Sequence, residues 1–186
     1  SGLSTAIRIK QLAAENNEEV SVCLIEKGSE IGAHILSGNV FEPTALNELI
    51  PDWKDKGAPL NSPATKDVVK FIISENLSFN IPFPSFLIPT FNNHGNYVMS
   101  LANFCRWLAS QAENLGVEIF PGFTASEIIY DGNVVKGILT GEMGISKDGE
   151  KKPSYQPSME LRGKYTIFAE GCRGHLGKQL IKNYNL

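Results

Sequence analysis

An amphipathic helix followed at once by a short apolar strand is the feature that most constrains this chain. In residues 3–15 the apolar positions recur at spacings of three and four, which is the period of one helix face. Asn16 and Asn17 end that pattern, and residues 20–25 are almost wholly apolar before Glu26, Lys27 and Gly28. Such a run is typical of a strand that is buried on both faces of a parallel sheet. The order of helix and buried strand predicts an α/β fold.

Composition and charge exclude several classes of function. The 186 residues are 42% hydrophobic and 20% charged, which suits one globular domain or a large part of one. A formal net charge of −3 gives no broad basic surface for nucleic acid. Three cysteines stand far apart without a C-x-x-C pair, which indicates a reducing compartment and no metal site in this chain. No apolar run approaches the roughly 20 residues that span a bilayer, although surface attachment stays open.

The remaining elements follow from local pattern. The spacing of apolar residues predicts a helix from residue 98 to 115, before Gly116, and residues 175–183 can form another. Asn96 is expected to cap the first of these, with the helix starting near Tyr97. The other predicted elements are a short helix over 44–50, extended chain over 71–91, and strands at 117–120, 127–130, 134–140, around 159–161 and at 165–169, with turns at 131–133 and 147–149.

One glycine and one acidic residue, Gly2 and Glu26, suggest a dinucleotide site. Gly2 opens the first helix as the last glycine of a G-x-G-x-x-G turn would, and Glu26 ends the next strand. In that motif the helix N-terminus holds a pyrophosphate and the acid binds a ribose hydroxyl. The first strand and the earlier glycines would then precede Ser1, so we expect the chain to lack the start of this motif.

Two further segments offer close backbone approach to a ligand. Residues 31–38 supply glycine and serine shortly after Glu26, and His34 within them could relay protons or simply hydrogen-bond its loop. Residues 166–174 place small residues after a predicted strand. In combination with Gly2 and Glu26, these segments follow the order found in two-domain FAD enzymes.

Six longer stretches make the resemblance specific. They are SGLSTAIRIKQLA, CLIEKGSEIGAHILSG, PDWKDKGAPLNSPAT, NNHGNY, QAENLGVEIFPG and TIFAEGCRGHLGKQL. Taken in this order, they resemble electron transfer flavoprotein-ubiquinone oxidoreductases from end to end. The resemblance implies a membrane-attached FAD enzyme that takes electrons from reduced electron transfer flavoprotein and delivers them to ubiquinone through FAD and a [4Fe-4S] cluster. The cluster's cysteines, the late flavin segment and much of the quinone site would lie beyond Leu186, so this chain would be inactive alone.

The resemblance also implies a set of cofactor-binding residues and no catalytic residue. The pyrophosphate turn would be Gly2, Leu3 and Ser4, and the ribose acid would be Glu26. The loop beside the flavin would be Gly32, Ala33, His34, Ser37 and Gly38. Backbone near the adenine would come from Thr124 and Ala125, after Phe123, and the second FAD segment would be Ala169, Glu170 and Gly171. His94 and Asn96 of NNHGNY could contact the flavin region, with capping as the alternative for Asn96.

Membrane contact has its own candidate segment. Residues 31–52 contain Val40, Phe41, Leu46, Leu49 and Ile50, with Trp53 after them, and the resemblance implies that a segment here dips into one leaflet. Composition alone favours packing in the core. Phe79, Phe83, Phe86 and Phe91 could line a quinone pocket or, for most of them, fill the core. The implied location is the matrix face of the mitochondrial inner membrane or the cytoplasmic face of a bacterial membrane.

Three alternatives remain at this point. A geranylgeranyl-reductase-like or related FAD reductase shares the Gly2, Glu26 and Gly171 elements, but DWKDKGAPL and NNHGNY argue against it. A non-catalytic fragment would retain no cofactor, and a nicotinamide dehydrogenase is disfavoured because the second half lacks a second mononucleotide-binding repeat. The predicted architecture is an FAD-binding dinucleotide fold of the glutathione-reductase type. Its two parts, 1–38 and 98–186, are separated by a loop-rich, partly β insertion over 39–97.

Overall fold

The computed structural model describes residues 1–35, 38–81 and 92–186. The chain divides into two compact units, Ser1–Ala33 with Leu108–Leu186, and His34–Trp107. The predicted division at residues 38 and 97 stays a prediction.

The first unit contains a helix on a parallel strand pair, a set of antiparallel strands and a terminal helix. Its elements are α1 (Gly2–Glu15), β1 (Val22–Glu26), β7 (Val117–Pro121), β8 (Ala125–Asp131), β9 (Val134–Thr140), β10 (Met143–Ile145), β11 (Lys151–Gln156), β12 (Glu160–Arg162) and α4 (His175–Tyr184). The second unit contains β2 (Asn39–Phe41), α2 (Thr44–Leu49), β3 (Ser62–Pro63), β4 (Val69–Ser74), β5 (Leu77–Ile81) and β6 (Tyr97–Met99). Helix α3 (Leu101–Asn114) begins in the second unit and ends in the first.

Helix α1 and the parallel pair β1 and β7 follow the predicted pattern. Ala6, Ile7 and Ala13 form the buried face of α1, which contacts both strands. The helix ends at Asn16, and Asn17 adopts a left-handed φ of 55° that turns the chain toward β1. Strand β1 pairs with β7 in parallel, as predicted for an α/β fold, with Glu26 opposite Pro121. The strand is not buried on both faces, because Cys23 is exposed and its neighbours are half-buried.

The antiparallel strands of the first unit agree with the sequence, with one exception. Strands β8 and β9 form the predicted hairpin and β12 joins β9, giving the order β12-β9-β8, while β10 pairs with β11. Ile128, Ile138 and Leu176 form a buried cluster under α4, against which Phe168 packs. The predicted strand at 165–169 is wrong, because these residues have no ladder partner within the described part of the chain. They alternate between exposed and half-buried without strand pairing.

The core of the second unit is built around two tryptophans and their neighbours. Trp53 is buried, meets Tyr97 edge-on at 5.7 Å between ring centroids, and donates from Nε1 to Asn47 Oδ1 at 2.7 Å. Trp107 donates from Nε1 to the Lys56 carbonyl at 2.9 Å. Leu46 and Ile50 of the predicted membrane segment are also buried, so the core alternative is correct for these residues and for Trp53, while Val40 is exposed.

The start of helix α3 differs from the prediction. Tyr97, Val98 and Met99 form strand β6, which pairs with both β2 and β3. The helix begins after Ser100, whose carbonyl accepts from Phe104 N at 3.0 Å and whose Oγ lies 3.5 Å from Asn103 N. Asn96 is therefore not the helix cap, because strand pairing extends the non-helical chain by several residues beyond it.

Candidate functional site

The N-terminus of α1 is a place where backbone donors are available to an anion. Ser1 occupies the N-cap position but makes no side-chain capping hydrogen bond, and the first turn contains no acidic residue. Thr5 donates from both its N–H and its hydroxyl to the Ser1 carbonyl, at 2.9 and 3.0 Å. Leu3 and Ser4 are half-buried in the same turn. The first amides of a helix carry the positive end of its dipole, so this turn suits a phosphate group.

Gly2 is in a position where a side chain would not fit without movement. A Cβ built on Gly2 would lie 3.2 Å from the Cβ of Ala169 and 3.8 Å from Cδ1 of Leu24. The start of α1, strand β1 and the segment after residue 165 therefore meet at Gly2. Two residues that the sequence assigned to different parts of the cofactor site, Gly2 and Ala169, are brought together.

Glu26 lies at the carboxyl end of β1 and is held by the turn that follows. Its Oε1 accepts a 2.6 Å hydrogen bond from Gly28 N, and the Gly28 carbonyl accepts one of 2.7 Å from Gly122 N. Gly28 is buried, and a Cβ there would lie 3.1 Å from the Glu30 carbonyl. This arrangement joins the ends of β1 and β7 at the edge where open α/β sheets bind their ligands. Sequence reasoning missed both Gly28 and Gly122, although Gly122 directly follows β7 and Gly28 stands two residues after the end of β1.

Glu170 has a structural partner that the sequence did not indicate. Its Oε2 accepts from Gly177 N at 2.8 Å, and its Oε1 lies 3.3 Å from Leu176 N. Both donors are in the first turn of α4, where a negative charge is stabilised by the helix dipole. Gly174 leaves room for this contact, since a Cβ there would be 2.6 Å from the Glu170 Cβ. The structure thus gives Glu170 a role in holding α4, and a direct contact with a cofactor stays a prediction.

The other predicted site residues are distributed over both units. In the first unit Gly32 is buried with φ of 84°, Ala33 donates to the Glu30 carbonyl at 3.2 Å, and Gly171 is exposed with φ of 75°. Thr124 is exposed and its carbonyl accepts from Gly141 N at 2.7 Å, while Ala125 opens β8 opposite Thr140. His34 and Gly38 belong to the second unit and are exposed, and Ser37 lies outside the described residues.

The thiol of Cys23, on strand β1, is not activated. Cys23 faces Glu118 across the parallel ladder. Partial burial raises the pKa of the Cys23 thiol, and the Glu118 carboxylate raises it further. A raised pKa disfavours the thiolate, so Cys23 does not have the character of a nucleophile.

In the second unit the NNHGNY motif forms a polar network. Asn93 donates to Asp67 twice, from Nδ2 to Oδ1 at 2.7 Å and from its backbone N to Oδ2 at 3.1 Å. These bonds, the side-chain bond first, lower the pKa of the Asp67 carboxyl, and the charge of His94 adds to the effect. Asn96 Nδ2 donates to Asn93 Oδ1 at 3.4 Å, and the Asn96 carbonyl accepts from Ala64 N at 2.8 Å.

Comparison with solved structures identifies the fold. The chain superposes on aklavinone-11 hydroxylase, from a ternary complex with FAD and aklavinone, with a TM-score of 0.61 and 16% identity over 96% of this chain and 32% of that one. It also superposes on THI4 of Thermovibrio ammonificans with a TM-score of 0.55 and 14% identity, over 98% of this chain and 58% of that one. The predicted α/β dinucleotide-binding fold is confirmed. No protein-family model matches the chain.

Comparison with curated proteins gives much closer relatives. The chain is 61% identical to the electron transfer flavoprotein-ubiquinone oxidoreductase of Pseudomonas aeruginosa and 50% identical to the mitochondrial protein of that name from Mus musculus. Both alignments cover 100% of this chain, and they cover 34% and 30% of the two relatives. The chain spans about a third of the length of the curated relatives it matches. It is, along its whole length, a homologue of one segment of the electron transfer flavoprotein-ubiquinone oxidoreductases.

Proposed function

We propose that this chain is part of the FAD-binding region of an oxidoreductase that passes electrons from reduced electron transfer flavoprotein to ubiquinone. The observation that carries the proposal is identity of 61% and 50% over the whole chain to relatives whose names state that donor and that acceptor. Because the alignments cover the whole chain, they include the turns around Gly2, Glu26 and Gly171, where a cofactor site would be built.

The residues of the first unit fit an FAD molecule in three respects. The uncapped first turn of α1 offers backbone donors to a pyrophosphate, and Gly2 keeps that turn free of a side chain. Glu26 keeps one carboxylate oxygen beyond its bond to Gly28, which suits a ribose hydroxyl. We therefore propose Gly2, Leu3, Ser4 and Glu26 as the principal contacts, with the other predicted residues of the first unit as further candidates.

The contribution of this chain to the reaction is binding and orientation. A bound FAD would supply reversible uptake of electrons. The paired ends of β1 and β7 hold Glu26, and the Gly28 and Gly122 bonds fix its turn before any ligand binds. Preorganised contacts of this kind lower the ordering cost of binding. No residue of the chain is assigned an acid, base or nucleophile role.

A [4Fe-4S] cluster does not fit the residues of this chain. Within the described residues no three His, Cys, Asp or Glu side chains are grouped as metal ligands, and Cys23, Cys105 and Cys172 stand far apart in the sequence. Such clusters are held by several cysteine thiolates. The cluster implied by the resemblance is proposed for another part of the whole-length protein.

Attachment to a membrane surface is proposed through the β4–β5 hairpin. No helix in the described ranges has the length and apolar character that crossing a bilayer demands. In the hairpin, however, Phe71 is 53% exposed and pairs with exposed Phe79, and Ile72 is 71% exposed. Adjacent strand residues point to opposite faces, so Phe71 and Ile72 make both faces apolar. Phe83, Phe86 and Phe91 lie outside the described residues, and the core alternative is wrong for Phe79.

Apolar side chains on both faces favour lipid over a protein partner. A docked protein would cover one face of the hairpin, whereas lipid can contact the apolar side chains on both faces. A two-stranded hairpin has open edges whose N–H and C=O groups need water, so it would lie at the headgroup boundary rather than deeper. Because the relatives include bacterial and mitochondrial proteins, the proposed membrane is a bacterial one on its cytoplasmic face or the mitochondrial inner membrane on its matrix face.

A chimeric enzyme tests the electron-transfer proposal. This chain would replace the homologous segment of the Pseudomonas aeruginosa relative, and the purified protein would be assayed with reduced electron transfer flavoprotein and a short-chain ubiquinone. We expect a flavin absorption spectrum and quinone reduction comparable with those of the parent. A chimera that folds and lacks flavin would refute the proposal. Flavin without quinone reduction would instead support an FAD reductase with another acceptor.

A pair of hairpin substitutions tests membrane attachment. The Phe71→Ser, Phe79→Ser protein should bind vesicles of equimolar phosphatidylcholine and phosphatidylglycerol at least roughly tenfold more weakly than wild type, because each phenyl group loses transfer free energy. Tyr165→Ser is the matched control, since Tyr165 is 90% exposed but stands outside the hairpin. Equal vesicle affinity in all three proteins would exclude the hairpin as the attachment element.

A further inference from the structure

The hairpin is joined to the rest of its unit through a closed polar contact at its base. Strand β4 begins two residues after Asp67, and Asn93 follows the hairpin and the segment beyond it. The two hydrogen bonds from Asn93 to Asp67, at 2.7 and 3.1 Å, therefore close the chain between these two residues. Both oxygens of one carboxylate are used on one partner residue, which fixes distance and orientation together.

The hairpin depends on such a contact because, among the described residues, its strands pair with no other strand. Strands β4 and β5 form a separate two-stranded sheet, and their large apolar side chains are exposed rather than packed in a core. An isolated two-stranded hairpin is marginally stable in water. Strand β4 begins two residues after Asp67, so the contact between Asp67 and Asn93 lies next to the point where the chain enters the hairpin.

The base is itself tied to the three-stranded sheet of the unit. Asn96 N donates to the Asn93 carbonyl at 3.0 Å, and the Asn96 carbonyl accepts from Ala64 N at 2.8 Å. One residue later Tyr97 opens β6, which pairs with β2 and β3. A continuous series of hydrogen bonds thus runs from the sheet through Asn96 and Asn93 to Asp67.

We propose that Asp67 is a positioning residue for the hairpin, which it holds in the orientation that binds a lipid surface through its bonds to Asn93. The inference rests on the proposed membrane attachment of the hairpin. Asp67 itself is a polar residue that stands two residues before the hairpin. By holding the hairpin in one orientation before binding, Asp67 lowers the conformational entropy that is lost when the hairpin binds lipid.

The test compares Asp67→Ala with a residue swap that restores the contact. In Asp67→Ala both acceptors are lost, and the hairpin amides should exchange with deuterium roughly tenfold faster. Vesicle affinity should fall about five- to tenfold, with an unchanged melting temperature. The double variant Asp67→Asn, Asn93→Asp exchanges the donor and acceptor side chains and should recover both exchange protection and vesicle binding. Asp52→Ala, which removes an exposed carboxylate paired with Lys56, is the control.

The outcomes separate this inference from the proposal on which it rests. Unchanged hairpin exchange in Asp67→Ala would overturn the positioning role whatever the vesicles show. Faster exchange without rescue by the swap, or a melting temperature lowered together with it, would make Asp67 a general stabilising residue and would also overturn the inference. If wild type ignores the vesicles, membrane attachment fails and the orientation role fails with it, while exchange still reports whether Asp67 orders the hairpin.

Discussion

The strand ends around Glu26 and the hairpin around Phe71 present opposite kinds of surface. At the strand ends the polar groups are tied to one another, as in the bonds from Gly28 to Glu26 and from Gly122 to Gly28. In the hairpin the two strands pair with each other in a separate sheet, and Phe71 remains half exposed. A site whose polar groups are fixed in advance suits a ligand of defined shape, such as a cofactor. Exposed apolar side chains on two faces suit lipid, which has no fixed shape.

The largest expected effect comes from filling the space at Gly2. Gly2→Val would place side-chain atoms against Ala169 and Leu24, where even a Cβ is only 3.2 Å from its neighbour. The start of α1 must then shift, and we expect FAD affinity to fall roughly 100-fold. The affinity is measured by quenching of flavin fluorescence. Gly141→Val is the control, because a Cβ at Gly141 meets nothing closer than 3.8 Å. Equal losses in both variants would contradict a specific role for Gly2.

Two substitutions of Glu26 distinguish a cofactor contact from a turn contact. Glu26→Gln keeps an oxygen that can accept from Gly28 N but removes the charge, so it should weaken FAD binding about tenfold if the carboxylate also binds a ribose hydroxyl. Glu26→Ala should weaken binding further, because Gly28 N then loses its acceptor. Titration calorimetry measures both affinities. A Gln variant with wild-type affinity would limit Glu26 to holding its turn.

A smaller effect on stability is expected at Glu170. Glu170→Gln loses one acceptor oxygen and the negative charge beside the first turn of α4, which should lower the free energy of unfolding by about 1 kcal/mol. Urea unfolding followed by circular dichroism measures the change. Glu160→Gln, which breaks an exposed ion pair with Arg162, should change it by less than about 0.5 kcal/mol. A large loss of FAD affinity with unchanged stability would favour a direct cofactor contact for Glu170.

Elements with a local signal could be predicted from the sequence, and elements defined by distant partners could not. Helix α1 and the β8–β9 hairpin follow from periodicity and a turn, and both are confirmed. Residues 165–169 have the composition of a strand, but a strand also requires a neighbour to pair with. The apolar spacing around Val98 continues that of α3, yet β2 and β3 pair with this residue and keep it extended.

The candidate site was predictable to a similar extent. Gly2 and Glu26 stand out because a helix start and a strand end each have a recognisable pattern. The bonds between Gly28 and Gly122, and between Asp67 and Asn93, join residues far apart in sequence, and neither pair forms a motif. Glu170 was recognised through its segment, but its bonds to α4 depend on how the chain turns at Gly174.

The smallest expected effect is the pH dependence that Asp67 gives to the second unit. Asn93 lowers the pKa of this carboxyl, so the folded protein holds the proton less tightly than the unfolded chain. The stabilisation is therefore fully present above the unfolded pKa, at about pH 4, and is lost as the pH falls through the lower folded value.

Carbon NMR of the Asp67 carboxyl should give a pKa below the ordinary one, and Asn93→Ala should return it toward that value by removing the main cause. Hairpin amide protection, expressed relative to the intrinsic exchange rate at each pH, should fall over the same acid range in wild type, with a flatter profile in Asp67→Asn. An ordinary pKa in wild type would mean that the bonds from Asn93 are not maintained in solution. The base of the hairpin would then be mobile like the hairpin itself, in contrast to the fixed polar groups around Glu26.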